Sequence, residues 1–124
     1  MKPTLIIVDD IPVIRVAIRK KLQDHFEILA ECEDGLSAVE ACRHHRPQLV
    51  VMDVVMPKMS GIEATRKILA DKSGTVPKIV MVSGLKDETV VLQALEAGAG
   101  DYLFKPVNFE QLLQVLNGFL KSVA

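Results

Sequence analysis

The sequence has no apolar run long enough to cross a bilayer; its longest, at residues 5–8 and 49–52, fall far short of the roughly 20 that a spanning helix needs. It also lacks a surplus of charge. Fifteen Lys and Arg stand against sixteen Asp and Glu, which gives no electrostatic case for direct binding to nucleic acid or to a membrane surface. Cysteine is scarce. Cys32 and Cys42 form no Cys-x-x-Cys pair and have no metal-ligand spacing, so both read as reduced cytosolic thiols. No basic leader with a cleavable apolar stretch opens the chain, and a cytoplasmic location is expected. Linker-like, low-complexity and repeated stretches are missing too. The 124 residues are expected to form one domain with a core of its own.

What is present is an alternation of strand-like and helix-like segments. Residues 4–8, 49–52 and 78–82 are short, mostly apolar, rich in β-branched side chains and not alternating. That pattern suits parallel strands covered on both faces. Residues 27–31 and 101–104 are weaker and suit sheet edges. Helical spacing joins Val13, Ile14, Ala17, Ile18 and Leu22 behind Pro12, and a second helix runs over 35–45 until Pro47. Ser60 with Glu63 makes a capping box for a third helix bearing Ile62, Ile68 and Leu69. Asp87 caps a fourth, with Val90, Val91, Ala94 and Leu95 inward and Gly98 at its end; Asn108 caps a fifth that buries Leu112, Leu116 and Phe119. Such alternation implies right-handed crossovers and a doubly wound α/β fold: a five-stranded parallel sheet between helices. The flavodoxin-like order 2-1-3-4-5 is one common solution, with ligands bound beyond the carboxyl ends of the strands.

Polar residues at those ends carry the chemistry. Asp9 and Asp10 follow the first strand, Asp53 the third, Ser83 the fourth, and Lys105 with Pro106 the fifth. Were the first and third strands neighbours, three carboxylates would meet and repel unless a cation lay among them. Magnesium suits such a site, because it takes oxygen ligands and keeps waters that a phosphate can replace. A lysine and a hydroxyl facing the cluster are partners for a phosphoryl group. Taken singly, each residue has a plainer role as a turn, a cap or an exposed charge; their coincidence favours phosphoryl chemistry.

LIIVDD at residues 5–10, MDVVMPKMSG at 52–61, VMVSG from Val80 and AGAGDYLFKP from Ala97 together resemble the receiver family of bacterial response regulators. The motifs stand in order and at family spacing over essentially the whole chain, so that residues 1–124 are expected to be one receiver domain. The resemblance implies a phosphoacceptor of a two-component system, not an enzyme with a separate substrate. It implies that Asp53 takes a phosphoryl group from a sensor histidine kinase with Mg2+ as cofactor. Asp10, Asp53 and the Val55 backbone carbonyl would bind the metal directly, and Asp9 through a water. Lys105 would pair with Asp53 at rest, across a cis Lys105-Pro106 bond, and Ser83 would donate to the phosphoryl group. Tyr102 stands at the switch position, and would turn inward as Ser83 moves, remodelling the face of the fourth helix, fifth strand and fifth helix for a downstream effector protein.

Departures from the family pattern matter as well. Gly84 replaces a frequent alanine and is expected to loosen its loop. Val55 and Leu85 are apolar where some relatives orient attacking water, so slow self-dephosphorylation is expected. The fifth helix lacks the arginine of salt-bridged dimers. Three other readings stand beside this one: a receiver cut from a longer regulator with an output domain, an aspartyl-phosphate hydrolase and a flavin-binding module. The hydrolase reading is opposed by Val55, where such enzymes place a second acid; the flavin reading by the missing phosphate loop after the first strand. Arg15, Arg19, Lys20 and Lys21 read as a solvated helix face, His44, His45 and Arg46 as dipole-favoured helix-end cations, and Met52, Met56, Met59 and Met81 as packing residues.

Overall fold

The computed structural model describes residues 1–121. Strand and helix alternate throughout, as β1 (Thr4–Val8), α1 (Pro12–Leu22), β2 (Glu27–Cys32), α2 (Gly35–His45), β3 (Leu49–Met52), α3 (Gly61–Ala70), β4 (Lys78–Ser83), α4 (Glu88–Glu96), β5 (Asp101–Phe104) and α5 (Phe109–Lys121). The strands form one parallel sheet in the order β2-β1-β3-β4-β5, with the two weaker strands at its edges. This is the flavodoxin-like doubly wound arrangement, in which the order reverses between β1 and β3.

Period-two alternation divides the core between the two faces of the sheet. Ile6, Val8, Val50, Met52, Ile79, Met81 and Tyr102 point to one face, where Ala38, Cys42, Ile62, Ile68 and Ala94 of α2, α3 and α4 cover them. Leu5, Ile7, Leu49, Val51, Val80, Val82 and Leu103 point to the other, against Ile18 and Leu22 of α1 and Leu112 and Leu116 of α5. Burying each such aliphatic side chain contributes about 1.5–3 kcal/mol. The three central strands are therefore the rigid platform of the molecule.

Local capping sets the helix starts. Asp34, Ser60, Asp87 and Asn108 each accept a backbone N–H from the first turn of α2, α3, α4 and α5 respectively. Arg46, in the left-handed region at φ 50, closes α2 before Pro47, and Gly98, at φ 114, follows α4.

Some inward assignments from helical spacing are corrected. Val13 and Ala17 are exposed, as is Leu95. The core-facing stripe of α1 runs through Ile14, Ile18 and Leu22, and that of α4 through Val90, Val91 and Ala94. Val13, Ala17 and Leu95 each stand next in sequence to a member of the stripe, about 100° around the helix, and so face away. Phe119 is half-buried rather than enclosed. None of the described helices is long and apolar enough to cross a membrane.

Candidate functional site

Because β1 and β3 are neighbours with Val8 opposite Met52, the residues just past them meet at the carboxyl rim of the sheet. Asp9, Asp10 and Asp53 each present a carboxylate oxygen within 4.8 Å of the others'. Asp9 and Asp53 are buried, and Asp10 is the most open of the three. The backbone ladder runs on into the site: the Asp53 amide donates to the Val8 carbonyl at 3.0 Å and the Asp9 amide to the Cys32 carbonyl at 3.0 Å. The acids thus sit on the ends of rigid strands.

Lys105 reaches this cluster from beyond β5. Its amide donates to the Ser83 carbonyl at 2.9 Å, and its bond to Pro106 is cis, as the sequence motif implied. The ammonium donates to Asp9 Oδ2 at 2.9 Å and to Asp53 Oδ2 at 3.0 Å. Burial works against the charge on Lys105, but these two carboxylates outweigh it and push its pKa up. The other Asp53 oxygen accepts the Val54 amide at 2.7 Å, and the other Asp9 oxygen accepts the Ile11 amide at 2.9 Å. Both carboxylates are fixed at each oxygen.

Ser83 lies at the end of β4, buried, with its Oγ accepting the Leu85 amide at 3.2 Å. Its proton is free for another acceptor. Val55 is exposed in the loop after Asp53 and Leu85 is exposed in the loop after Ser83. Gly61 brings α3 against the acceptor strand: its amide donates to the Val54 carbonyl at 2.8 Å, and a Cβ there would run into the Asp53 carbonyl oxygen. No larger residue fits without moving the site.

Tyr102 differs from expectation. Its ring is already turned inward and buried, with the hydroxyl donating to the Leu85 carbonyl at 2.8 Å. The hydroxyl bond to the loop after Ser83 holds the ring in that inward position.

The acid cluster fits magnesium. It offers hard oxygen donors from two strands, and one of the three acids is open enough to leave room for water in the coordination shell.

Two contributors escaped the sequence reading. Asp34 is buried; its side chain caps α2, and Lys58 lies 3.7 Å from it. The Asp-Gly pair just before a helical pattern was the available signal. Arg15 was assigned to a solvated face, yet its guanidinium donates to the Asp9 carbonyl at 2.6 Å. No spacing rule signals that contact, because it depends on how α1 leans over the rim. The Tyr102 acceptor, a main-chain carbonyl, is invisible in sequence for the same reason.

Residues 5–117 match the family model described as the response regulator receiver domain. Chemotaxis protein CheY of Bacillus subtilis is 36% identical, the match covering 94% of this chain and 97% of that protein. Protein PilH of Pseudomonas aeruginosa is 34% identical over 94% of this chain and 96% of its own length. A solved CheX-CheY-BeF3-Mg2+ complex from Borrelia burgdorferi superposes with a TM-score of 0.87 at 28% identity, covering 95% of this chain and 89% of that one.

Proposed function

This chain belongs to the response regulator receiver family, and from that premise we propose that Asp53 accepts a phosphoryl group from a sensor histidine kinase in a Mg2+-dependent transfer. The carrying observation is that Asp53, Asp9, Asp10 and Lys105 converge on one small volume at the sheet's carboxyl rim. Receivers are phosphoacceptors rather than enzymes with an independent substrate, and this reading gives the catalytic groups to the acceptor itself.

In the proposed step an Asp53 carboxylate oxygen attacks phosphorus. The new O–P bond forms as the P–N bond to the donor imidazole breaks, and the nitrogen keeps the electron pair. The Val54 amide at 2.7 Å holds the carboxylate in place, so little reorganisation is required. Lys105 follows the charge from the carboxylate to the phosphoryl oxygens, and Ser83 donates its hydroxyl proton to one of them. Asp10, Asp53 and the Val55 carbonyl would hold Mg2+, with Asp9 acting through a water. When bound, Mg2+ neutralises phosphoryl charge and aligns the group with its acceptor.

The output is recognition by an effector protein at the face of α4, β5 and α5, where Leu92, Leu95 and Phe104 are exposed. Residues 1–124 act as one receiver unit in the cytoplasm, where a kinase would reach it. Val55 and Leu85 offer no polar group to orient water, so the acyl phosphate is long-lived; a lifetime of seconds in purified protein with Mg2+ would count against that part.

Intact-mass analysis after incubation with acetyl phosphate tests the core of this reading. A Mg2+-dependent gain of one phosphoryl group, absent from Asp53→Asn, is expected. No gain in folded protein that binds Mg2+ would overturn it.

A further inference from the structure

Four basic residues lie on α1, and only Arg15 uses its charge on the main chain of the acid cluster. Its side chain is 17% exposed and donates at 2.6 Å to the carbonyl of Asp9. That carbonyl belongs to the peptide joining Asp9 to Asp10, so Arg15 grips the link between two of the three carboxylates. Glu31 of β2 holds the arginine from behind at 4.0 Å, and Arg19 in turn fixes Glu31 at 2.8 Å. A continuous relay runs from the surface of α1, through the edge strand, to the metal-facing loop.

We propose that Arg15 is a positioning residue for divalent-cation binding: by orienting the Asp9-Asp10 peptide it sets the separation and direction of the two carboxylates. Two physical effects act together. The guanidinium on the Asp9 carbonyl brings a positive charge to the acid cluster and offsets part of its repulsion. Its fixed fork restricts rotation of the peptide, so the site does not have to be ordered when a cation arrives. Asp9 is held at three points, by Lys105 and the Ile11 amide at its carboxylate and by Arg15 at its carbonyl. Among the described residues Asp10 has no such anchor of its own and depends on the peptide before it.

The inference rests on the site proposed above as a Mg2+ site, but not on phosphoryl transfer occurring there. Titration calorimetry with MgCl2 alone measures the effect on the full chain. Arg15→Ala is expected to raise the Mg2+ dissociation constant about tenfold, the lower end of the range for outer-shell partners of a metal. Arg15→Lys keeps charge and most of the volume but loses the fork, and several-fold weaker binding is expected. The rate of phosphorylation by acetyl phosphate at saturating Mg2+ should stay within about twofold of wild type, a split that a general loosening of the fold would not produce. Native Mg2+ affinity in folded Arg15→Ala, or in Arg15→Lys should the alanine variant not fold, would overturn the proposal. So would a loss confined to the saturated rate. If every form, wild type included, takes no phosphoryl group while the Mg2+ constants shift as stated, the functional reading fails and this inference stands.

Discussion

The Tyr102 hydroxyl donates to the carbonyl of Leu85 at 2.8 Å, tying the only tyrosine of the chain to the loop that follows Ser83. The ring is 8% exposed and stacks edge-on to Phe104 with centroids 5.7 Å apart. Expected behaviour of the switch therefore changes: the aromatic is latched inward by its own hydrogen bond. With no tryptophan in the sequence, intrinsic fluorescence reports Tyr102 alone. Acetyl phosphate with Mg2+ should leave that emission nearly unchanged, and a large change would show a ring that moves on modification. Tyr102→Phe should lower stability by about 1 kcal/mol in urea denaturation, the worth of one hydrogen bond to a partly buried carbonyl.

Removal of the Lys105 charge should make stability depend on magnesium. Lys105 donates at 2.9 and 3.0 Å to two buried carboxylates. Lys105→Ala leaves those charges facing each other and should cost about 2–3 kcal/mol in metal-free buffer. Magnesium, which no longer competes with an ammonium, should restore much of the loss by binding the folded form. Thermal melts with and without MgCl2 check this; equal destabilisation in both would refute it.

Gly61 and Gly84 should respond to alanine in opposite directions. A Cβ at Gly61 would meet the Asp53 carbonyl oxygen and come within 2.7 Å of Met81 Cε, so Gly61→Ala should destabilise by about 3 kcal/mol and slow phosphorylation. At Gly84 a Cβ meets nothing within 4 Å and φ is outside the left-handed region, so Gly84→Ala should stabilise by about 0.5 kcal/mol. Denaturant midpoints of the two variants decide it.

Asp71 should titrate far into acid. Its Oδ1 accepts the Ser73 hydroxyl at 2.6 Å and the Ser73 amide at 3.1 Å, with Arg46 at 3.2 Å from Oδ2. The serine bonds first, and the guanidinium second, bring its pKa down from 3.8 to about 2. A depressed carboxylate contributes stability that is present above 3.8 and is lost as the pH falls toward about 2. Carboxyl NMR should show a midpoint near 2 in wild type and a clear rise in Ser73→Ala. An unchanged midpoint in the variant would remove the serine from the explanation.

The legible parts of this molecule were those set by local chemistry. Continuous β-branched runs identified the three central strands, and short polar residues before apolar periodicity identified the caps of α3, α4 and α5, because both patterns act over a few residues. Asp9, Asp53 and Lys105 were found as polar interruptions at strand ends. Geometry that depends on how layers lean was not legible. Val13, Ala17 and Leu95 fit an apolar period yet lie a step outside the buried stripe. Arg15 looked like its solvated neighbours until α1 was placed over the rim, and Tyr102 found an acceptor in a carbonyl, which every residue possesses.

Along β5, Tyr102 and Leu103 answer to different halves of the protein, one facing α3 and α4 and the other α1 and α5. The sheet is thus a partition, and it sorts mutational history into two nearly separate accounts. Substitutions that repack one layer have few contacts with the other, so their effects should combine without much interference. A lineage is then free to repack the half that carries the inward tyrosine while the packing of α1 and α5 on the other side stays as it was.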